Sequence, residues 1–292
     1  MKYKFKSPII AIVLTVFSAF WLCSCHEDFS MSYDSTYARL VVDGSINTDT
    51  CRHYVRLTKS GDALNQNPVI PISNAIVTIS DGDSVFHLKE IPTIRGLYAT
   101  DSTVYGIAGK IYTLTISNVD VNDDGVLEEY TASSVLKKEN PIDSISIRYQ
   151  SFNPHVKGWL INMTAKDCGG GRNYYLTKVY KNDTLLTDSI QEYVNLADNS
   201  GFEGRYYYDF PVYFLNENKI DERIAKGDTI TLEIDGITEE YYRFIIDFIQ
   251  EYYPKIPIFS GPSANISTNI EPKNKAVGFF IAYSVQRKTI VY

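Results

Sequence analysis

From Arg39 onward the chain alternates apolar and polar residues at the period of half-buried strands. Leu40, Val42 and Ile46 share one face with Gly44, while Asp43, Ser45 and Asn47 fall on the other. Val55 and Leu57 repeat the pattern between Tyr54, Arg56 and Thr58, and Val77 and Ile79 do so around Thr78. Asp81-Gly82 then predicts a hairpin turn, after which Phe86 and Leu88 resume the alternation. Tyr112, Leu114 and Ile116 make a further strand, and the same signature returns at 142–149, 159–165, 174–180, 205–214 and 229–234. One long or two short closing strands occupy 278–292. Short strands separated by Gly, Pro, Asn and Asp clusters predict antiparallel sandwiches rather than a parallel sheet.

One segment leaves this pattern. From Tyr241, apolar residues recur at Phe244, Ile245, Phe248, Ile249 and Tyr252, the spacing of a single helical face. Thr238 suits the cap, Glu239 and Glu240 suit the positive end of the helix dipole, and Pro254 supplies the stop, so a helix is expected over about 239–252. Its wide apolar side needs a sheet to pack on, as a lid or brace; a partner-binding helix is the alternative reading.

A boundary falls where Lys137-Lys138-Glu139-Asn140-Pro141 interrupts two strand-like runs, and beyond it tyrosines crowd the chain. The expected fold is therefore mainly β. An N-terminal Ig-like sandwich over 39–138, which resembles the small sandwich of carboxypeptidase regulatory-like modules, precedes a second antiparallel β domain over 139–292, which carries the one amphipathic helix.

Lys2, Lys4 and Lys6 precede an almost wholly apolar stretch over 8–22, a charged head and short hydrophobic middle that predict a signal peptide over 1–24. A membrane-spanning helix would need about 20 apolar residues, and this run meets polar and acidic residues sooner. Leu22-Cys23-Ser24-Cys25 resembles the bacterial lipobox and makes Cys25 the expected lipidated residue. Cys23, preceded by Trp21 and Leu22, does not fit that frame. His26-Glu27-Asp28-Phe29 opens a tether over 25–38; it resembles the acidic export tag of Bacteroidetes surface lipoproteins, and a plain solvated linker is the other reading.

Charge narrows the partners. The whole chain carries 28 basic and 35 acidic residues, and removal of the signal takes three lysines and no acids, leaving a balance of −10. Phosphate neutralisation by Lys and Arg supplies most non-specific nucleic-acid affinity, so no nucleic-acid partner is expected. The membrane contact should come from the acyl chains alone. Besides the anchor only Cys51 and Cys168 remain, either bonded to each other or, as two isolated thiols, free and buried.

The order of these features resembles a known family. Signal and lipobox lead to Leu40-Val41-Val42-Asp43-Gly44-Ser45-Ile46, then to Tyr54-Val55-Arg56-Leu57, Ala75-Ile76-Val77-Thr78-Ile79 and Gly109-Lys110-Ile111-Tyr112-Thr113-Leu114. The aromatic helix follows, then a loop over 259–269 with Asn265 and Asn269, then Gly278-Phe279-Phe280. Together they resemble the Bacteroidetes outer-membrane lipoprotein family catalogued as domain of unknown function 4249. The resemblance covers nearly the whole mature chain, rests on strand and turn signatures, and implies an accessory part beside a TonB-dependent receptor. The acidic insert over 120–129 is longer than the family pattern.

Within that insert Asp120, Asn122, Asp124 and Gly125 reproduce the opening of a calcium loop, with Glu128 or Glu129 as substitute for the bidentate acid that position twelve, Thr131, lacks. The flanks read as strands rather than helices, which favours an acidic hairpin over calcium. No other cofactor is expected. Only His26, His53, His87 and His155 could serve as imidazole bases, and no Ser or Cys sits in a nucleophile-elbow pattern. Gly169-Gly170-Gly171 lacks the Lys-Ser or Lys-Thr of a phosphate loop. Glu128 and Glu129 would point to opposite faces of a strand, a poor pair for glycoside hydrolysis. Tyr206, Tyr207 and Tyr208 are candidate ligand contacts, weighed against core packing because aromatic residues are enriched in strands generally.

The expected protein is thus a surface-exposed, non-enzymatic outer-membrane lipoprotein that captures a ligand or docks on a TonB-dependent transporter. A structural or adhesive surface component and a carboxylate-based hydrolase are the alternatives. A tyrosine-lined pocket with two convergent carboxylates would favour the hydrolase, and a broad apolar patch would favour docking.

Overall fold

The computed structural model describes residues 38–60, 69–138, 141–167, 169–188, 195–252 and 266–292. The expected signal peptide, Cys25, the tether up to residue 37, Cys168, Pro254 and Asn265 lie outside the described residues. Among the described residues no helix is long and apolar enough to cross a membrane.

The alternating segments become strands. The first half holds β1 (Leu40–Asn47), β2 (Tyr54–Lys59), β3 (Ile70–Pro71), β4 (Ile76–Ser80), β5 (Val85–Glu90), β6 (Leu97–Ala99), β7 (Ile111–Val119) and β8 (Glu128–Val135). The second holds β9 (Ile142–Asn153), β10 (Val156–Lys166), β11 (Tyr174–Lys181), β12 (Thr184–Leu185), β13 (Asn195–Asp198), β14 (Tyr206–Asn216) and β15 (Thr229–Ile237). Helix α1 (Glu239–Tyr252), β16 (Ile270–Glu271) and β17 (Ala276–Val291) close the chain.

One sheet runs β12-β11-β15-β17-β1-β2-β6-β5-β4-β7-β8-β16, and a second runs β14-β10-β9. The long sheet curls over itself, because Leu40, Val42 and Leu57 from one end of the curl join Ile79, Leu114 and Ile116 from the other in a single apolar cluster. That cluster is the first core. The three-stranded sheet contributes Ile145, Ile161 and Leu215 to a second core completed by Val179, Leu232 and Ile234. In β1 the expected face is the buried one: Leu40, Val42, Gly44 and Ile46 are buried while Asp43 is exposed.

Strand β17 belongs to both sandwiches. Its residues 276–283 run parallel to β1, and residues 284–291 run antiparallel to β15. The fold is mainly β with large antiparallel sheets, as expected; within it the β1–β17 pair is parallel, and residues 270–282 return to the first core although 139–292 was expected to form the second domain. The reason is topological: parallel partners need a long crossover, and nearly the whole chain between β1 and β17 supplies it. Where β17 leaves backbone groups without a strand partner, side chains satisfy them. Asn269 donates to Phe280 O at 2.8 Å and accepts from Phe280 N at 3.0 Å, Thr268 donates to Gly278 O at 2.7 Å, and Ser134 accepts from Ala282 N at 3.0 Å. Gly278 has φ +91°, and a Cβ there would stand 2.0 Å from Val42 O, so glycine is what allows β17 to approach β1.

Helix α1 begins as expected. Thr238 Oγ1 accepts from Tyr241 N at 3.2 Å, and Arg243 pairs with Glu239 one turn back.

Candidate functional site

Both cores use one face of the β11-β15-β17-β1 layer, so alternate residues point the other way, toward α1. On β11 and β15 these include Leu176 opposite Asp235 and Lys178 opposite Glu233. On β17 and β1 they include Phe279 beside Asp43 and Tyr283 beside Asn47. The helix stands on rings: Tyr241 and Phe244 each lie 5.2 Å from Phe279, and Tyr242 lies 4.9 Å from Tyr174. Rings hold a helix away from a sheet, and a cavity of about 540 Å³ remains between them. Its walls are aromatic, from Tyr241, Phe244, Phe248, Phe279 and Tyr283, and its ionisable groups are Asp43, Lys178, Asp188 and Asp235. A wider groove continues from it, sharing Val41, Phe244, Phe248 and Gly278.

Behind the floor lies a buried ionic network. Glu233 and Asp235, two apart on β15, share a face and are each about 1% exposed. Lys178 Nζ bridges them, 2.8 Å from Glu233 Oε1 and 2.6 Å from Asp235 Oδ2. Arg287 joins Glu233 to Asp49, and Tyr180 donates to Glu233 at 3.4 Å. Asp235 Oδ1 is different, being buried without a hydrogen-bond partner. Burial pushes the Asp235 carboxyl up to about 7; Lys178 opposes that rise and Glu233 adds to it. Burial works against the Lys178 ammonium, yet Asp235, Tyr283 and Glu233 hold it well above the usual lysine range. The same ammonium sits 5.3 Å from the Tyr283 ring centroid, and Tyr283 accepts a hydrogen bond from Asn47 at 3.0 Å.

The residues singled out from sequence lie elsewhere. Asp120 accepts from the backbone of Asp124 and Gly125, and Asp124 accepts from Val126 N and from Asn122. The loop therefore engages Asp120 and Asp124 within itself, while Asn122 Oδ1 is buried without a hydrogen-bond partner. Glu128 points away to Tyr130 and Lys275, and among the described residues no cluster of three His, Cys, Asp or Glu could hold a metal. Tyr206 and Tyr208 are exposed and stacked at 5.3 Å, with Lys166 over the Tyr206 ring, whereas Tyr207 packs partly against the second core. They share no cavity with α1. His53 is buried between Val104 O and Asn47 N, a structural place, and burial lowers its pKa. Cys51 is free.

Lys178, Glu233 and Asp235 carried no signal in the sequence, since charges alternating with Leu232 and Ile234 read as an ordinary solvent face. The one available hint was the amphipathic helix directly after them, which had to cover some surface.

The family model described as Domain of unknown function (DUF4249) covers residues 26–289, and no curated protein matches the chain.

Proposed function

The chain belongs to the DUF4249 family, and on that footing we propose that it is a non-enzymatic binding protein, lipid-anchored through Cys25 at the outer face of the outer membrane. It captures a small molecule in the cavity beneath α1 and presents it to a TonB-dependent receptor. The observation that carries this reading is the cavity itself, about 540 Å³ with aromatic walls and few polar groups, the size and lining of small-molecule sites. Lys178 and Glu233 are tied to each other and to Arg287, which suits a rigid floor more than a reacting group. Purification from outer membranes in mild detergent, followed by native mass spectrometry, tests it. A thioether-linked lipid at position 25, an added small mass and a co-purifying receptor are expected; an unlipidated chain with neither companion overturns the reading.

A carboxylate-based hydrolase is the second reading, favoured by one observation: Asp43 and Asp235 line the same cavity, and the latter titrates near neutrality. Turnover of chromogenic glycosides or esters that disappears in Asp235→Asn would establish it over the first.

A further inference from the structure

Resting on the cavity reading above, we propose that the pocket beneath α1 takes an organic cation, a small molecule with a protonated amine or guanidinium on an apolar or aromatic body, and that Asp235 is its acceptor. Three independent features converge. The ionisable lining consists of three carboxylates, Asp43, Asp188 and Asp235, against the single ammonium of Lys178. That ammonium is already engaged by Glu233 and Asp235, so it offers little to an anionic ligand. Asp235 Oδ1 belongs to a cavity residue about 1% exposed and accepts from no donor of the chain; the Glu233 carboxyl beside it favours a proton on Asp235, so once that proton leaves, a buried acceptor stays unsatisfied and costly until a donor arrives. The walls complete the match, because Tyr241, Phe244, Phe279 and Tyr283 present ring faces whose negative quadrupoles attract cations and whose area buries an apolar body.

The same site gives the binding a pH dependence. The groups that face Asp235 are Lys178 on β11, Glu233 on β15, Tyr283 and Arg287 on β17, Tyr241 on α1 and Asp43 on β1. Asp235 itself is placed to change charge near neutrality, and its carboxylate form is the better partner for a cation. Binding of a cation therefore tightens as pH rises through about 7.

Three matched probes separate the claims: phenethylamine, 2-phenylethanol and phenylacetate. Each is titrated into the purified protein carrying Phe248→Trp, whose indole at the partly exposed cavity wall reports occupancy by fluorescence. The amine is expected to bind at least roughly tenfold more tightly than the alcohol, a difference of about 1.4 kcal/mol. Phenylacetate is expected to bind most weakly. Asp235→Asn and Asp43→Asn should each erode the amine's advantage over the alcohol; Asp43 is exposed, so its variant keeps the test sound if Asp235→Asn folds poorly. Alcohol or carboxylate binding as tightly as the amine would leave the cavity as a ligand site and overturn the cation. Silence from all three probes would overturn the ligand site as well.

Discussion

The two faces of the β11-β15-β17-β1 layer are built by the same alternation and end up opposite in character. The face turned to the sandwiches is apolar and filled, with Leu40, Ile46, Leu232 and Phe280 fully buried. The face turned to α1 holds Lys178, Glu233, Asp235 and Arg287 together with an open cavity. A sheet packed on a sheet interdigitates along its whole length, whereas α1 meets its face through a small cluster of rings and the aliphatic Ile237 and Ile281, and leaves space beside them. Buried charge is tolerated only where it is paired, so the polar face concentrates its acids around one lysine and one arginine.

Four measurements would break or sharpen this contrast. Phe280→Ala empties a fully buried site in the first core and should lower stability by about 3–5 kcal/mol, read from urea midpoints. Loss below about 1 kcal/mol would mean the sandwich face is not the filled one. Lys178→Ala leaves two buried carboxylates facing each other and should lose about 3 kcal/mol, with partial recovery when Asp235→Asn is added. An equal loss in single and double variants would show that packing, rather than charge, holds that face.

The third measurement is pH dependence. The folded-state pKa of Asp235, about 7, lies above the ordinary 3.8, so the folded chain keeps a proton that the unfolded chain has released. Its contribution is complete below the unfolded value and is lost as pH rises through about 7. From about pH 5 to about pH 8 the wild type should therefore lose more stability than Asp235→Asn, which carries no titrating group. Parallel curves would refute the assignment. The smallest effect belongs to the acidic loop: Asp120→Ala removes two backbone hydrogen bonds at an exposed turn and should cost about 1 kcal/mol. Calcium should leave the melting temperature unchanged, since the loop's acids already accept from their own neighbours.

Much of the fold was legible in the chain. Periodicity placed the longer strands of both halves but not the short β3, β6, β12, β13 and β16, and the cap and apolar spacing gave helix α1 its observed limits, Glu239–Tyr252. The β1–β17 pairing was not legible, because nothing local to Leu40 or Phe280 shows that residues so far apart lie side by side. The cavity was hidden for a related reason. Periodicity marks which residues share a face, but not what that face meets, so nothing local to Glu233 or Asp235 tells that a helix covers them. Tyr206 and Tyr208 illustrate the converse: a conspicuous sequence signal produced an exposed stacked pair with no cavity of its own.

Strand β17 sets a schedule as well as a shape. It follows the other described strands in sequence yet lies between β15 and β1, and it supplies Ala276, Phe280 and Ala282 to the first core, so that core cannot close before β17 has been synthesised. Until then the emerging polypeptide lacks the piece that unites its halves, and the apolar faces it will cover stay open to other chains.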